Sequence, residues 1–163
     1  MTRRRHIATL LLMAAVAAPL AGVAIATPPS GLKSTLLARG AAGKFKIHDE
    51  SLDLRIRARQ DTDVAIVQAT LDPGGSTGWH GHPGQSIVIV KSGTLTMIEP
   101  RDHHRHGCSE QEFTAGQAFP HPEDAHNFEN RTYGVTEFWV VYMVPAGAAP
   151  LLNDVATVPE QCA

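Results

Sequence analysis

The sequence predicts a single all-β domain, a sandwich or a barrel. Three observations carry that prediction. A chain of 163 residues has room for one domain of ordinary size. Short β-rich runs recur at regular spacing, with Gly, Pro and Asn between them. No amphipathic pattern of helical period is sustained anywhere along the chain.

The elements follow in chain order. Residues 1–26 open with Arg3, Arg4 and Arg5, continue as an Ala/Leu/Val-rich run without an acid, and end on Ala24-Ile25-Ala26. This is the layout of a secretory signal peptide cut before Thr27. The run is also long enough to span a bilayer, so an uncleaved anchor is the alternative. Pro19 and Gly22 favour cleavage. Residues 27–43, with Pro, Gly and Ala, form an N-terminal lead, and the barrel is expected over 44–147. Leu52 to Arg59 alternates apolar and polar residues as a half-buried strand does. Val64 to Leu71 is a second strand, closed by the turn signal Asp72-Pro73-Gly74-Gly75. Ser86–Lys91 and Thr94–Ile98 flank Ser92-Gly93 and read as a hairpin. Glu112–Phe119, His126–Glu129 and Thr136–Val144 supply further strands, and residues 148–163 a C-terminal tail.

Charge and composition exclude several function classes. The formal net charge is −2, which argues against a nucleic-acid partner held by phosphate contacts. Removal of the signal takes three Arg and no acid, leaving 11 basic residues against 16 acidic ones, a balance of −5. No stable membrane association is then expected. No phosphate-binding Gly loop, Ser-His-Asp order or nucleophilic Cys context is present. Nine histidines are many for this length, and eight of them lie beyond residue 26. Histidine is the commonest metal ligand.

The chemistry concentrates in Gly74-Gly75-Ser76-Thr77-Gly78-Trp79-His80-Gly81-His82-Pro83-Gly84-Gln85-Ser86. On an extended chain His80 and His82 point to one face, which is half of a metal site. The third ligand expected is His126, which follows a Pro-containing turn in Phe119-Pro120-His121-Pro122-Glu123-Asp124-Ala125-His126. The bland alternative is that all three are hydrogen-bonded core or rim residues of a metal-free cavity.

These two segments resemble the two motifs of the cupin superfamily. The first motif reads G-x5-H-x-H-x3/4-E-x6-G, and Gly74, His80, His82 and Gly93 fall in register with it. Ser86 stands where the family has glutamate. The second motif reads G-x5-P-x-G-x2-H-x3-N, matched by Gly116, Pro122, His126 and Asn130. Asp124 replaces its second Gly, and the spacing before His126 is one residue short. The resemblance covers about residues 60–147, with 22 residues between Gly93 and Gly116. It implies a small secreted bacterial cupin: a single-domain double-stranded β-helix, or jelly-roll, barrel with a divalent metal near one mouth.

Without the glutamate, three neutral imidazoles leave the charge of a metal uncompensated and a bound water more acidic. Such a set suits Zn²⁺ or Fe²⁺, with Ni²⁺ and Cu²⁺ also accepted, and disfavours oxygen-preferring Mn²⁺. Ser86 is a weak donor, and the expectation is that it holds a water. Gln85 has the better oxygen, but alternation points it away unless the strand bulges. His103-His104-Arg105-His106 reads as a solvated loop with a second metal as the alternative, and His121, between two prolines, as exposed. Trp79, Phe119, Phe128, Phe138, Trp139 and Tyr142 are expected in the core or the cavity wall.

Cys108 and Cys162 both lie beyond the signal. Two Cys in an exported protein most simply form one disulfide, and the resemblance implies such a pair; two thiols are the alternative. Secretion, or residence in the periplasm or cell envelope, follows from the signal reading. Three roles then compete. One is a metal-dependent enzyme acting on a small molecule (dioxygenase, isomerase or lyase), for which Glu137 or Glu123 would be a candidate proton-transfer acid. Another is a non-catalytic module binding metal or a small ligand. The last is a metal-free structural barrel, with a homodimer through its outer sheet.

Overall fold

A computed structural model describes residues 27–101, 107–121, 124–149, 154–155 and 158–162. The expected signal segment 1–26, the loop His103-His104-Arg105-His106 and Glu123 lie outside the described residues. The described strands are β1 (Ser30–Asp49), β2 (Leu54–Ser76), β3 (His80–Gly81), β4 (Gln85–Ser92) and β5 (Thr94–Pro100). They continue as β6 (Cys108–Thr114), β7 (Ala118–His121), β8 (Asn127–Glu129), β9 (Thr136–Pro145) and β10 (Asp154–Val155). A 3₁₀ turn at Glu160–Cys162 follows, and no α-helix occurs among the described residues.

The main sheet runs β6-β5-β8-β2-β9-β4-β7, with β1 added on β2, and every pairing in it is antiparallel. Its two ends, β6 and β7, are consecutive in the chain. Backbone bonds from Val90 N–H to Gln117 O and from Gly116 N–H to Val90 O, both 2.9 Å, draw their connecting turn onto β4. Phe113 on β6 stacks on Phe119 of β7 with ring centroids 3.6 Å apart. The sheet thus curls into a nearly closed barrel of jelly-roll type.

Period-2 alternation decides what fills the barrel. Ala65, Val67, Ala69 and Leu71 of β2 point inward, as do Val88 and Val90 of β4 and Phe138, Val140, Tyr142 and Val144 of β9. Leu95, Met97, Phe113, Phe119 and Phe128 complete the core.

Several local expectations are corrected. Residues 30–43, expected as a lead, are the first part of β1 and pair along β2 from Ser76 down to Thr62. The Gly and Ala residues there, and the two prolines just before, mask a strand that its pairing with β2 defines. The alternating run from Leu52 begins as a strand only at Leu54 and is mostly exposed, because it pairs with β1 alone and extends past the barrel. Asp72-Pro73-Gly74-Gly75 does not end its strand. Gly74, at φ 71°, lets β2 continue, and its N–H donates to Asn130 O at 2.9 Å while Asn130 N–H donates to Gly75 O. Ser92-Gly93 is not a hairpin turn, since β4 pairs with β9 and β7 while β5 pairs with β6 and β8. It is a corner where the chain crosses between halves of the barrel. At φ 80° with Thr136 Oγ1 only 2.6 Å from any added Cβ, position 93 has room for glycine alone. Glu112–Phe119 is two strands, broken at Gly116, which has φ 86°.

Candidate metal centre

His80 and His126 are brought together by backbone. An isolated bridge joins them, each N–H donating to the other's carbonyl at 2.9 Å. Their ring centroids are 4.0 Å apart. His82, two residues on from His80, lies 4.9 Å from that ring and 5.1 Å from His126. One nitrogen from each of the three falls within 4.8 Å of the others. Nitrogens bound at about 2.1 Å stand at most about 4.2 Å apart across one ion, so the rings close in slightly to hold it.

Glycines on both sides hold this segment down. A Cβ on Gly78 would meet Thr27 O at 2.0 Å, and one on Gly84 would meet Met143 O at 2.1 Å. The chain therefore lies pressed against its neighbours immediately before and after the His-x-His pair.

Hydrogen bonds orient the rings. His80 Nδ1 stands 2.8 Å from Gly78 O, and His126 Nδ1 stands 2.7 Å from Asp124 O. A carbonyl only accepts, so each Nδ1 carries the proton and each Nε2 keeps its lone pair. His126 Nε2 and His82 Nδ1 are buried without a hydrogen-bond partner. Burial lowers the His80 pKa to about 4. It lowers that of His82 to about 3, helped by the neighbouring His80 and His121. His126 is held well below its ordinary value, first by burial and then by the same two neighbours. All three are neutral at physiological pH, the form that binds metal. His80 and His82 line a small, mostly apolar cavity of about 30 Å³, together with Val67, Val88, Phe138 and Tyr142 among others. That is space for an ion with one or two waters.

Ser86 is buried and faces inward, and its hydroxyl donates to His121 O at 3.5 Å. Gln85 is exposed on the opposite face of β4, without a bulge at that position. His121 corrects the expectation of exposure: it is 1% exposed, its ring 3.6 Å from His126 and 5.9 Å from His82. The alternation of Phe119 and His121 around exposed Pro120 was the available signal, overshadowed by the flanking prolines. Tyr142 meets His82 edge-on at 5.0 Å, and burial raises its pKa. Glu137 does not face the cavity. It lies on the outer side of β9, accepting from Gln68, Lys91 and Trp139 at 2.7, 2.9 and 3.3 Å. Trp139 is likewise outside, 38% exposed, because it alternates with the inward Phe138 and Val140.

Comparison with known proteins returns no matching family model and no matching curated protein. Solved structures do match. A cupin domain from Bordetella pertussis is 22% identical with a TM-score of 0.42, over 62% of this chain and 93% of that one. The Cupin_2 domain of an XRE family transcriptional regulator from Enterobacter cloacae is 17% identical with a TM-score of 0.46, over 71% and 98%. A variant of Bacillus subtilis oxalate decarboxylase is 17% identical with a TM-score of 0.46, over 52% of this chain and 22% of that one. The strand order of the barrel and the inward histidines of the two motif segments give this chain the cupin fold.

Proposed function

We propose that the protein is an exported metal-binding barrel that holds one divalent transition metal through His80, His82 and His126. The observation that carries this reading is the convergence of three buried imidazole nitrogens within 4.8 Å, two of them aimed by carbonyls behind their rings. An all-nitrogen set favours Zn²⁺ or Fe²⁺, with Ni²⁺ and Cu²⁺ next. Three protein ligands leave coordination positions for water or a small molecule, and the small cavity selects a compact one.

The finer reading is a metal-dependent enzyme acting on a small molecule by dioxygenase, isomerase or lyase chemistry. One observation favours a non-catalytic binding module instead: among the described residues no carboxylate lines the cavity. Metal analysis of protein purified from the exported fraction tests the common ground. Wild type is expected to hold close to one ion per chain and His126→Ala to lose most of it. Equal, substoichiometric metal in both proteins overturns the site. A substrate screen of the loaded protein under oxygen and under argon then separates oxygenase chemistry from the other roles.

A further inference from the structure

A fourth imidazole, that of His121, lies against the three-histidine group and has no part in the three-ligand reading. Resting on that reading, we propose that His121 is the fourth protein donor of the centre, an imidazole from β7 in the place where the motif's carboxylate would act from β4.

The register supports this directly. Ser86 and His121 are cross-strand partners in the antiparallel β4–β7 pair, so their side chains leave the sheet on the same face as neighbours. Both are buried, at 2% and 1% exposure. A glutamate at position 86 would reach into the cavity from this spot. Serine is several atoms shorter, and its cross-strand neighbour on the same face is His121. That ring contacts two members of the metal group, with centroids 3.6 Å from His126 and 5.9 Å from His82. The compact group within 4.8 Å consists of His80, His82 and His126, with His121 beside it. Closing His121 onto an ion takes a rotation about its own side-chain torsions, since β7 already presents it on the correct face.

A packing role predicts something different. Phe119 and Phe128 already furnish the apolar wall near His121, and an aromatic hydrocarbon at position 121 would extend it. If His121 only fills space, phenylalanine replaces it without consequence for the metal. If it is a donor, the ion loses one nitrogen.

The full chain, stripped by chelator and reloaded with Cu²⁺ or Zn²⁺, tests this. Pulsed EPR of the Cu²⁺ form and X-ray absorption of the Zn²⁺ form count bound imidazoles, and the wild-type count needs no variant. Four are expected in wild type and three in His121→Phe and His121→Ala. Zn²⁺ affinity, by competition with a chromophoric chelator, should fall by roughly 10–100-fold or more in both variants. Adding Ser86→Glu to His121→Ala should recover most of that loss, because the two positions serve one coordination site. Three imidazoles in wild type, with variant affinities within threefold of it, overturn the fourth donor and leave the three-His centre standing. Absence of stoichiometric metal in wild type overturns both readings.

Discussion

At the scale of single residues, the determining fact is that several imidazoles are buried against one another. Each is neutral in the folded chain, with His80 near 4, His82 near 3 and His126 far below its ordinary value, mainly through burial. In the unfolded chain the same groups take protons below about 6.5. Between those limits the unfolded state binds protons that the folded state refuses, so the metal-free protein loses stability as pH falls. Each such histidine contributes a slope approaching about 1.4 kcal/mol per pH unit. The three together should remove on the order of 5 kcal/mol between pH 8 and pH 5, a large part of a typical domain's stability. Denaturant melts of the stripped protein at the two pH values measure this directly. A midpoint that stays level or rises on acidification contradicts it. Legibility at this scale divided along the same residues. His80 and His82 could be singled out from their spacing of two, and His126 from its place after a Pro-containing turn. Whether their nitrogens meet depends on the His80–His126 bridge, which only the pairing of distant segments creates. His121 was missed because two prolines suggest an exposed loop, whereas its burial follows from its register against Ser86. Glu137 shows the converse, an acid whose outward direction is set by the strand phase of Phe138 and Val140.

At the scale of elements, the strands were legible and their partners were not. β4, β5 and β9 are close to the runs that alternation marks out, because alternation records the two faces of each strand. It carries no information on which strand lies alongside, so the Ser92-Gly93 corner between β4 and β5 passes for a hairpin turn. The same blindness hides how β2 keeps its course through Asp72-Pro73-Gly74-Gly75. The pin is Asn130, fully buried in the second motif segment. Its Nδ2 donates to Leu71 O, Asp72 O and Gly134 O at 3.0, 3.2 and 2.7 Å. Its Oδ1 accepts from Thr132 N–H and Thr132 Oγ1 at 3.0 and 2.7 Å. One amide, its two hydrogens shared among three carbonyls, thereby ties the end of β2, which leads into His80, to the turn between β8 and β9, which follows His126. Asn130→Ala removes the donor to Leu71 O in a buried site, at about 1–3 kcal/mol for a buried unsatisfied group, and loosens the partly buried bonds to Asp72 O and Gly134 O. A melting study should find the variant folded but destabilised by about 3 kcal/mol. A loss below about 0.5 kcal/mol, the level of an ordinary surface change, would remove Asn130 from this role.

At the scale of the whole molecule, the C-terminal segment is part of the site's support. Cys108, at the start of β6, is disulfide-bonded to Cys162 in the final 3₁₀ turn, 54 residues away. Between them β10 pairs with β3, Asp154 with Gly81 and Val155 with His80. β3 is thus held on one side by the bridge to His126 and on the other by a tail whose end is covalently fixed to the barrel. The pairing of the two cysteines could be anticipated from their number, but the passage of the tail across the histidine segment could not, since a two-residue strand leaves no pattern in the sequence. Among the described residues no helix is long and apolar enough to cross a membrane, and an intramolecular disulfide suits an oxidising compartment. Closing a loop of this length restricts the unfolded chain by an amount worth about 4 kcal/mol in the chain-entropy treatment. Cys108→Ser/Cys162→Ser should therefore lower unfolding stability by about 2–4 kcal/mol. Because β10 is anchored by that bond, the loss should not be confined to global stability. Amide hydrogen exchange at His80 and Gly81 should accelerate in the double variant under conditions where the strands β4 and β9 stay protected. Uniform acceleration across all strands would assign the disulfide to global stability alone, and unchanged exchange at β3 would show that β10 keeps its place without the bond.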